Sequence, residues 1–143
     1  MKPCLADVNV LLPLLVRHHP HHDLVLQWFE GLVAGELALC RFVQLALVRL
    51  LGNRAVMADY AVSAAAAWEL IGELLEDERV EFAAEPALLA TVFPKLLRHP
   101  VPTNKLVADA YLAAFSIAGN LRLATLDRGF AQFRDVDLYA LVP

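Results

Sequence analysis

One stretch near the N-terminus, Cys4-Leu5-Ala6-Asp7-Val8-Asn9-Val10-Leu11-Leu12, restricts the fold of this chain more than any other. Its Val/Leu content is that of a buried strand, yet it carries a carboxylate and a carboxamide two residues apart, where a purely structural strand has neither. If both residues are in extended backbone, Asp7 and Asn9 point to the same face and look into one crevice. In open α/β sheets that crevice lies beyond the C-terminal ends of the strands, where ligands bind. The alternative, equally open from these residues, is that the strand ends here and both side chains cap the following helix.

The length, 143 residues, predicts a single domain spanning 1–143, large enough to bury a core without disulfides or metals as staples. An apolar share of 59% excludes disorder for the whole and suggests that a partner covers part of the surface. The best candidate for a membrane span, Leu37 to Leu51, is interrupted by Arg41, Gln44 and Arg49. Asp7 and Asn9 likewise interrupt the only signal-like core, so a cytoplasmic protein that does not enter the membrane is expected. Cys4 and Cys40 lack CxxC spacing and read as buried free thiols. With a net charge of −4, no global positive field draws nucleic acid, so such a substrate has to be held locally by arginine and lysine side chains.

Along the chain, Pro13 to His19 reads as a short helix or turn, and the run His18-His19-Pro20-His21-His22-Asp23 as a solvated loop. It lacks the i, i+4 histidine spacing with glutamate of a zinc protease, and Pro20 breaks it. A helix over 23–34 is expected to bury Leu24, Trp28 and Leu32 and to end at Gly35. A strand over 36–40 leads into a helix over 41–51, with Arg41, Gln44 and Val48 on one side. A glutamine so placed is usually a surface residue. A long helix is expected over 57–78, opened by Asp59 and anchored by Tyr60, Trp68, Leu70, Ile71 and Leu74, with no chemistry apparent in it. A short strand over 80–82 follows, then a helix opened by Pro86 and kinked at Pro94, ending at His99-Pro100. Thr103-Asn104 offers an N-cap to a helix over 105–118, in which Asp109 is the anomaly among apolar neighbours. Asp127 directly follows the strand 121–126, and a last strand is expected over 137–142. This alternation predicts an α/β fold with a mostly parallel central sheet flanked by helices in three layers.

Asp7, Asp109 and Asp127 stand where such a sheet can bring them together. Two carboxylates about 5 Å apart repel by roughly 3 kcal/mol at an effective dielectric near 20, a cost that a divalent cation removes. Oxygen-only ligation suits Mg²⁺ or Mn²⁺, ions that activate water for phosphodiester hydrolysis.

The chain resembles the PIN-domain ribonucleases, and most closely the VapC-type toxins of type II toxin–antitoxin pairs. The resemblance rests on Ala6-Asp7-Val8-Asn9, on His21-His22 through Trp28, on Gln44-Leu45-Ala46-Leu47-Val48-Arg49-Leu50-Leu51, on Val107 to Ala114, and on Leu123-Ala124-Thr125-Leu126-Asp127-Arg128-Gly129-Phe130. It implies a PIN-like fold and a Mg²⁺- or Mn²⁺-dependent endoribonuclease that a VapB-type antitoxin neutralises. Asp7, Asp109 and Asp127 match the acidic positions: the first two as principal metal ligands, the third completing the cluster and positioning the attacking water. Asn9 would support Asp7. Gln44 stands where many members carry an acid; it can coordinate through its oxygen or orient a water, but one charge is gone, and a single ion or weaker metal binding is expected. Arg41 and Arg128 are candidate phosphate contacts. Homodimerisation through an apolar helical face is also expected. Two other readings compete. Asp7-Val8-Asn9 is near the DxD of haloacid-dehalogenase-like phosphatases, though no matching lysine and paired-aspartate motif follows. A degenerate PIN domain, binding RNA or a partner without cleavage, is suggested by Gln44.

Overall fold

The computed structural model describes residues 2–98 and 105–141, the side chain of Lys105 excepted. Five strands form one parallel sheet: β1 (Cys4–Ala6), β2 (Leu37–Leu39), β3 (Val80–Phe82), β4 (Arg122–Thr125) and β5 (Asp137–Ala140), in the spatial order β3-β2-β1-β4-β5. Seven helices accompany them among the described residues: α1 (Val8–Leu15), α2 (His22–Glu30), α3 (Arg41–Leu51), α4 (Arg54–Met57), α5 (Ala64–Glu76), α6 (Leu89–Leu97) and α7 (Lys105–Ala118). The chain runs outward from β1 to β3, then returns across the sheet to β4 and β5. Right-handed crossovers therefore put α1 to α5 on one face and α6 and α7 on the other. The packing agrees, with α1 against α2 and α3, α3 against α5, and α6 against α7. The order reverses between β1 and β4, which opens a crevice at their C-terminal ends.

The core is continuous through the sheet. Leu5, Leu37, Leu39 and Leu123 are fully buried in the strands, and Val10, Leu11, Val25, Leu47, Ile71 and Phe115 close over them from the helices. Small side chains at Ala110, Ala113 and Ala114 give α7 a smooth buried face, which brings its backbone close to β4.

Several boundaries depart from the sequence expectation. The first strand stops at Ala6: Asp7 is the N-cap of α1, accepting from the Val8 N–H, and Asn9 lies in the first helical turn. Pro13 sits inside α1 rather than opening a separate turn, and its free carbonyl accepts from His22 Nδ1 at 2.7 Å, tying α1 to the start of α2. Helix α2 ends at Glu30, and Gly35, at φ +75°, makes the turn into β2 instead. Its most buried side chains are Val25 and Phe29; Leu24, Trp28 and Leu32 are only partly covered. In place of the expected long helix over 57–78, Met57 ends α4, a 3₁₀ turn follows at Ala58–Tyr60, and the helix proper is α5, which Ser63 caps through the Ala66 N–H. Pro86 lies in the turn before α6, accepting from the Leu89 N–H, and Pro94 is accommodated inside that helix. The expected stop at His99-Pro100 and the cap at Thr103-Asn104 fall outside the described residues. Cys4 and Cys40 are buried free thiols.

Candidate functional site

The end of β1 places Asp7 at the β1/β4 crevice. Its backbone N–H continues the ladder onto Ala124 O at 3.0 Å, so its side chain lies beside Thr125. Only 6% exposed, the carboxylate accepts from the Val8 N–H through Oδ1 at 2.7 Å and from the Thr125 hydroxyl through Oδ2 at 2.9 Å. Burial pushes the Asp7 carboxyl above the ordinary carboxylate range, and those two hydrogen bonds oppose it. The negative charges of Asp109 and Asp127 raise it further.

Thr125 is the residue that sequence reasoning missed. Wholly buried at the last position of β4, its hydroxyl meets Asp7 Oδ2 (2.9 Å), Asn9 Nδ2 (3.1 Å), Asn9 Oδ1 (3.2 Å) and the Asp127 N–H (3.0 Å). A hydroxyl has one proton and two lone pairs. The charged carboxylate is the strongest acceptor, so Thr125 donates to Asp7 and accepts from Asn9 Nδ2 and from the Asp127 backbone. Asn9 Oδ1 in turn accepts from the Leu126 N–H at 3.0 Å. The carboxamide thus staples the first turn of α1 to the end of β4. The spacing of Thr125 and Asp127, two apart at a strand end, was the available signal; a β-branched residue ending a strand reads as ordinary sheet chemistry.

Asp127 caps the 3₁₀ turn Arg128–Gln132 through a 2.7 Å bond from the Gly129 N–H to Oδ1. A Cβ at Gly129 would come within 3.0 Å of that oxygen, so the glycine keeps the carboxylate's seat open. Asp109 projects from α7 on the other face and is half-buried, near enough for its charge to act on Asp7. The structure therefore joins Asp7, Asn9 and the Asp127 backbone through Thr125, with Asp109 near enough for its charge to act on Asp7.

Gln44 and Arg41 form a hydrogen-bonded pair on α3, which follows β2. Gln44 is 2% exposed rather than a surface residue, and its Oε1 accepts from Arg41 Nη1 at 2.7 Å. Its carbonyl thus engages a guanidinium. Arg41 is itself exposed, as is Arg128. The histidines are engaged locally: His22 with Pro13, His19 Nδ1 accepting from the His21 N–H, and the His18 ring 4.2 Å from that of Tyr60.

Among the described residues, no three His, Cys, Asp or Glu side chains enclose a single point as a metal cage does. The donor chemistry of the crevice still fits Mg²⁺, which keeps several waters and takes only one or two protein carboxylates. A buried carboxylate on which two like charges act is an electrostatic setting that such an ion satisfies.

A family model described as the PIN domain matches residues 4–136. The chain belongs to the PIN-domain family. Among its relatives, ribonuclease VapC41 of Mycobacterium tuberculosis is 34% identical over 142 residues, spanning 96% of this chain and 97% of the relative. This PIN domain also superposes on a DNA-bound VapBC of Salmonella typhimurium with a TM-score of 0.69 at 11% identity, covering 99% of both chains. A toxin–antitoxin complex from Klebsiella pneumoniae gives 0.62 at 16% identity, over 93% of this chain and 94% of that one. The fold is thus shared with VapC-type PIN domains.

Proposed function

We propose that this chain, as one PIN domain over its whole length, is a cytoplasmic endoribonuclease toxin of the VapC type, held in check by a VapB-type antitoxin. The observation that carries the reading is Asp7, buried at the β1/β4 switch point with the charges of Asp109 and Asp127 acting on it. The ribonuclease name of its 34% identical relative supports the substrate class, and the toxin–antitoxin complex among its structural neighbours supports the partner.

In this reading Asp7 and Asp109 hold a Mg²⁺ or Mn²⁺ ion, directly or through water. Bound there, the ion supplies an activated water and offsets charge on the phosphodiester. Thr125 and the Val8 N–H fix the orientation of the Asp7 carboxylate. Asp127, with one oxygen pinned by the Gly129 N–H, orients the attacking water through the other. Asn9 keeps α1 and β4 in register at the site. Arg41 and Arg128 bind flanking phosphates, and Gln44 acts by holding Arg41.

Purified protein free of antitoxin is expected to cut a total RNA pool into discrete fragments in Mg²⁺ or Mn²⁺. Those fragments should vanish with a chelator and in Asp109→Asn. Intact RNA in the presence of folded, metal-binding protein would overturn the nuclease. It would favour the degenerate binding domain, which the capture of the Gln44 carbonyl by Arg41 makes the second reading.

The exposed Leu45 of α3 and Val56 of α4 belong to the apolar surface through which we expect a homodimer. Light scattering at micromolar concentration should give twice the chain mass, and a single-chain mass would refute the dimer.

A further inference from the structure

Arg41 is held in place by more than Gln44. Its guanidinium carbon lies 4.9 Å from the ring centre of Phe82 and 5.5 Å from that of Trp68, so two aromatic rings from β3 and α5 support one cation from α3. Trp68 remains 45% exposed and Phe82 43% exposed. Five N–H groups belong to a guanidinium, and Gln44 Oε1 engages one side of it. The cluster therefore presents two partly exposed aromatic side chains beside a cation fixed in orientation.

Its position gives it a use. Phe82 ends β3, Arg41 follows β2, and Asp7 follows β1, all at the C-terminal edge of the sheet. Neighbouring strands are about 4.8 Å apart, so the end of β3 is about 10 Å from that of β1, a short step along an extended strand of RNA. The acids repel the RNA backbone and the chain as a whole carries −4, so binding has to be won locally. Unpaired bases gain affinity by stacking on aromatic side chains and on arginine planes, whatever their identity.

We propose that the exposed rings of Trp68 and Phe82, spanned by the Arg41 guanidinium, form a platform on which an unpaired RNA base stacks beside the cleaved phosphate. This rests on the nuclease reading and adds to it a base-binding subsite on the β3 side of the crevice. Arg41 contacts the phosphate joining that base to the scissile position, while the rings take the base itself. A base in a regular duplex cannot reach the platform, so paired RNA is cut poorly.

Trp68 provides its own probe. The other tryptophan, Trp28, stacks against Tyr139 near the opposite end of the sheet, and Trp28→Phe leaves Trp68 as the sole indole. In that protein, carrying Asp109→Asn to prevent cutting, an oligouridine octamer is expected to quench Trp68 emission, whereas an abasic ribose-phosphate octamer is not. Phe82→Ala and Trp68→Ala should each weaken oligouridine binding roughly tenfold, and Trp68→Tyr should retain it. Thermal melts establish that each variant folds. If the two octamers bind alike, or if folded alanine variants keep full RNA affinity, the platform is overturned. Altered self-association of those variants in sedimentation, with RNA affinity unchanged, reassigns the rings to a protein contact and also overturns it. In each of these cases the wild-type cleavage assay still stands. Absence of RNA cleavage by the wild type removes the nuclease reading and the platform together.

Discussion

Asp7→Asn is expected to abolish RNA cleavage and, in metal-free protein at neutral pH, to raise the thermal midpoint. Both effects follow from one environment. The carboxylate is buried, and the charges of Asp109 and Asp127 lie close enough to oppose its ionisation. Removing the charge removes an oxygen anion from the proposed ion site. That should lower cleavage by about 100-fold or more, beyond the 10–100-fold typical of changes one shell out. The stability effect runs the other way. A carboxyl whose folded pKa is raised binds its proton more readily in the native state than in the unfolded chain. The native protein therefore carries the full penalty above the folded pKa, and is relieved of it as pH falls from there toward the ordinary carboxyl value. The advantage of Asp7→Asn should accordingly be largest at neutral and alkaline pH and shrink on acidification. Asparagine keeps an acceptor for the Val8 N–H but presents an amide to Thr125, a mismatch of about 1 kcal/mol. Thr125 can instead donate to Asn9 Oδ1, 3.2 Å away, which softens that loss. Melts of both proteins in chelator across pH test the sign. A midpoint lower than wild type at neutral pH would show that Asp7 stabilises the fold rather than burdening it.

The sequence made the acids visible because each interrupts an apolar pattern, and the β/α alternation implied the parallel sheet on which they stand. The rest depended on tertiary placement. The residues alone leave open whether Asp7 and Asn9 share a face of an extended strand or cap the following helix. The structure shows the cap for Asp7 at the start of α1, while Asn9 crosses to β4 from the first helical turn. Helical phase put Arg41, Gln44 and Val48 on one side of α3, yet burial divides that side, with Gln44 enclosed and Arg41 open to solvent. Phase gives direction around a helix and not the height of the neighbouring elements. Trp68 in an alanine-rich helix reads as a core anchor by composition alone. Its exposure becomes apparent only once α5 is docked, with Ala67 and Ile71 turned to the core.

Thr125→Val tests whether the hydroxyl at the centre of the crevice organises the chemistry or merely fills space. Valine matches threonine in shape, so the β4 core should be preserved while the hydroxyl's partners lose their bonds. Asp7 Oδ2 loses its donor inside the protein. Asn9 Nδ2 and the Asp127 N–H lose their acceptor in a partly buried setting where water can reach them. An unsatisfied buried group costs about 1–3 kcal/mol, and the hydrated ones less, so a loss of about 2–4 kcal/mol is expected in denaturant titrations. Cleavage should fall by about 10–100-fold, since these bonds orient one proposed ion ligand directly and the backbone of Asp127, the residue proposed to orient the attacking water. Thr125→Ser supplies the decisive contrast. It keeps the hydroxyl and lacks only the methyl group, so it should lose about 1 kcal/mol of stability yet retain most of the cleavage. If valine and serine variants of matched stability cut RNA equally well, the hydroxyl has no part in positioning Asp7. If only serine preserves cutting, the site is a hydrogen-bonded unit joining α1, β4 and the turn that follows it, and the acids act from a frame that Thr125 holds together.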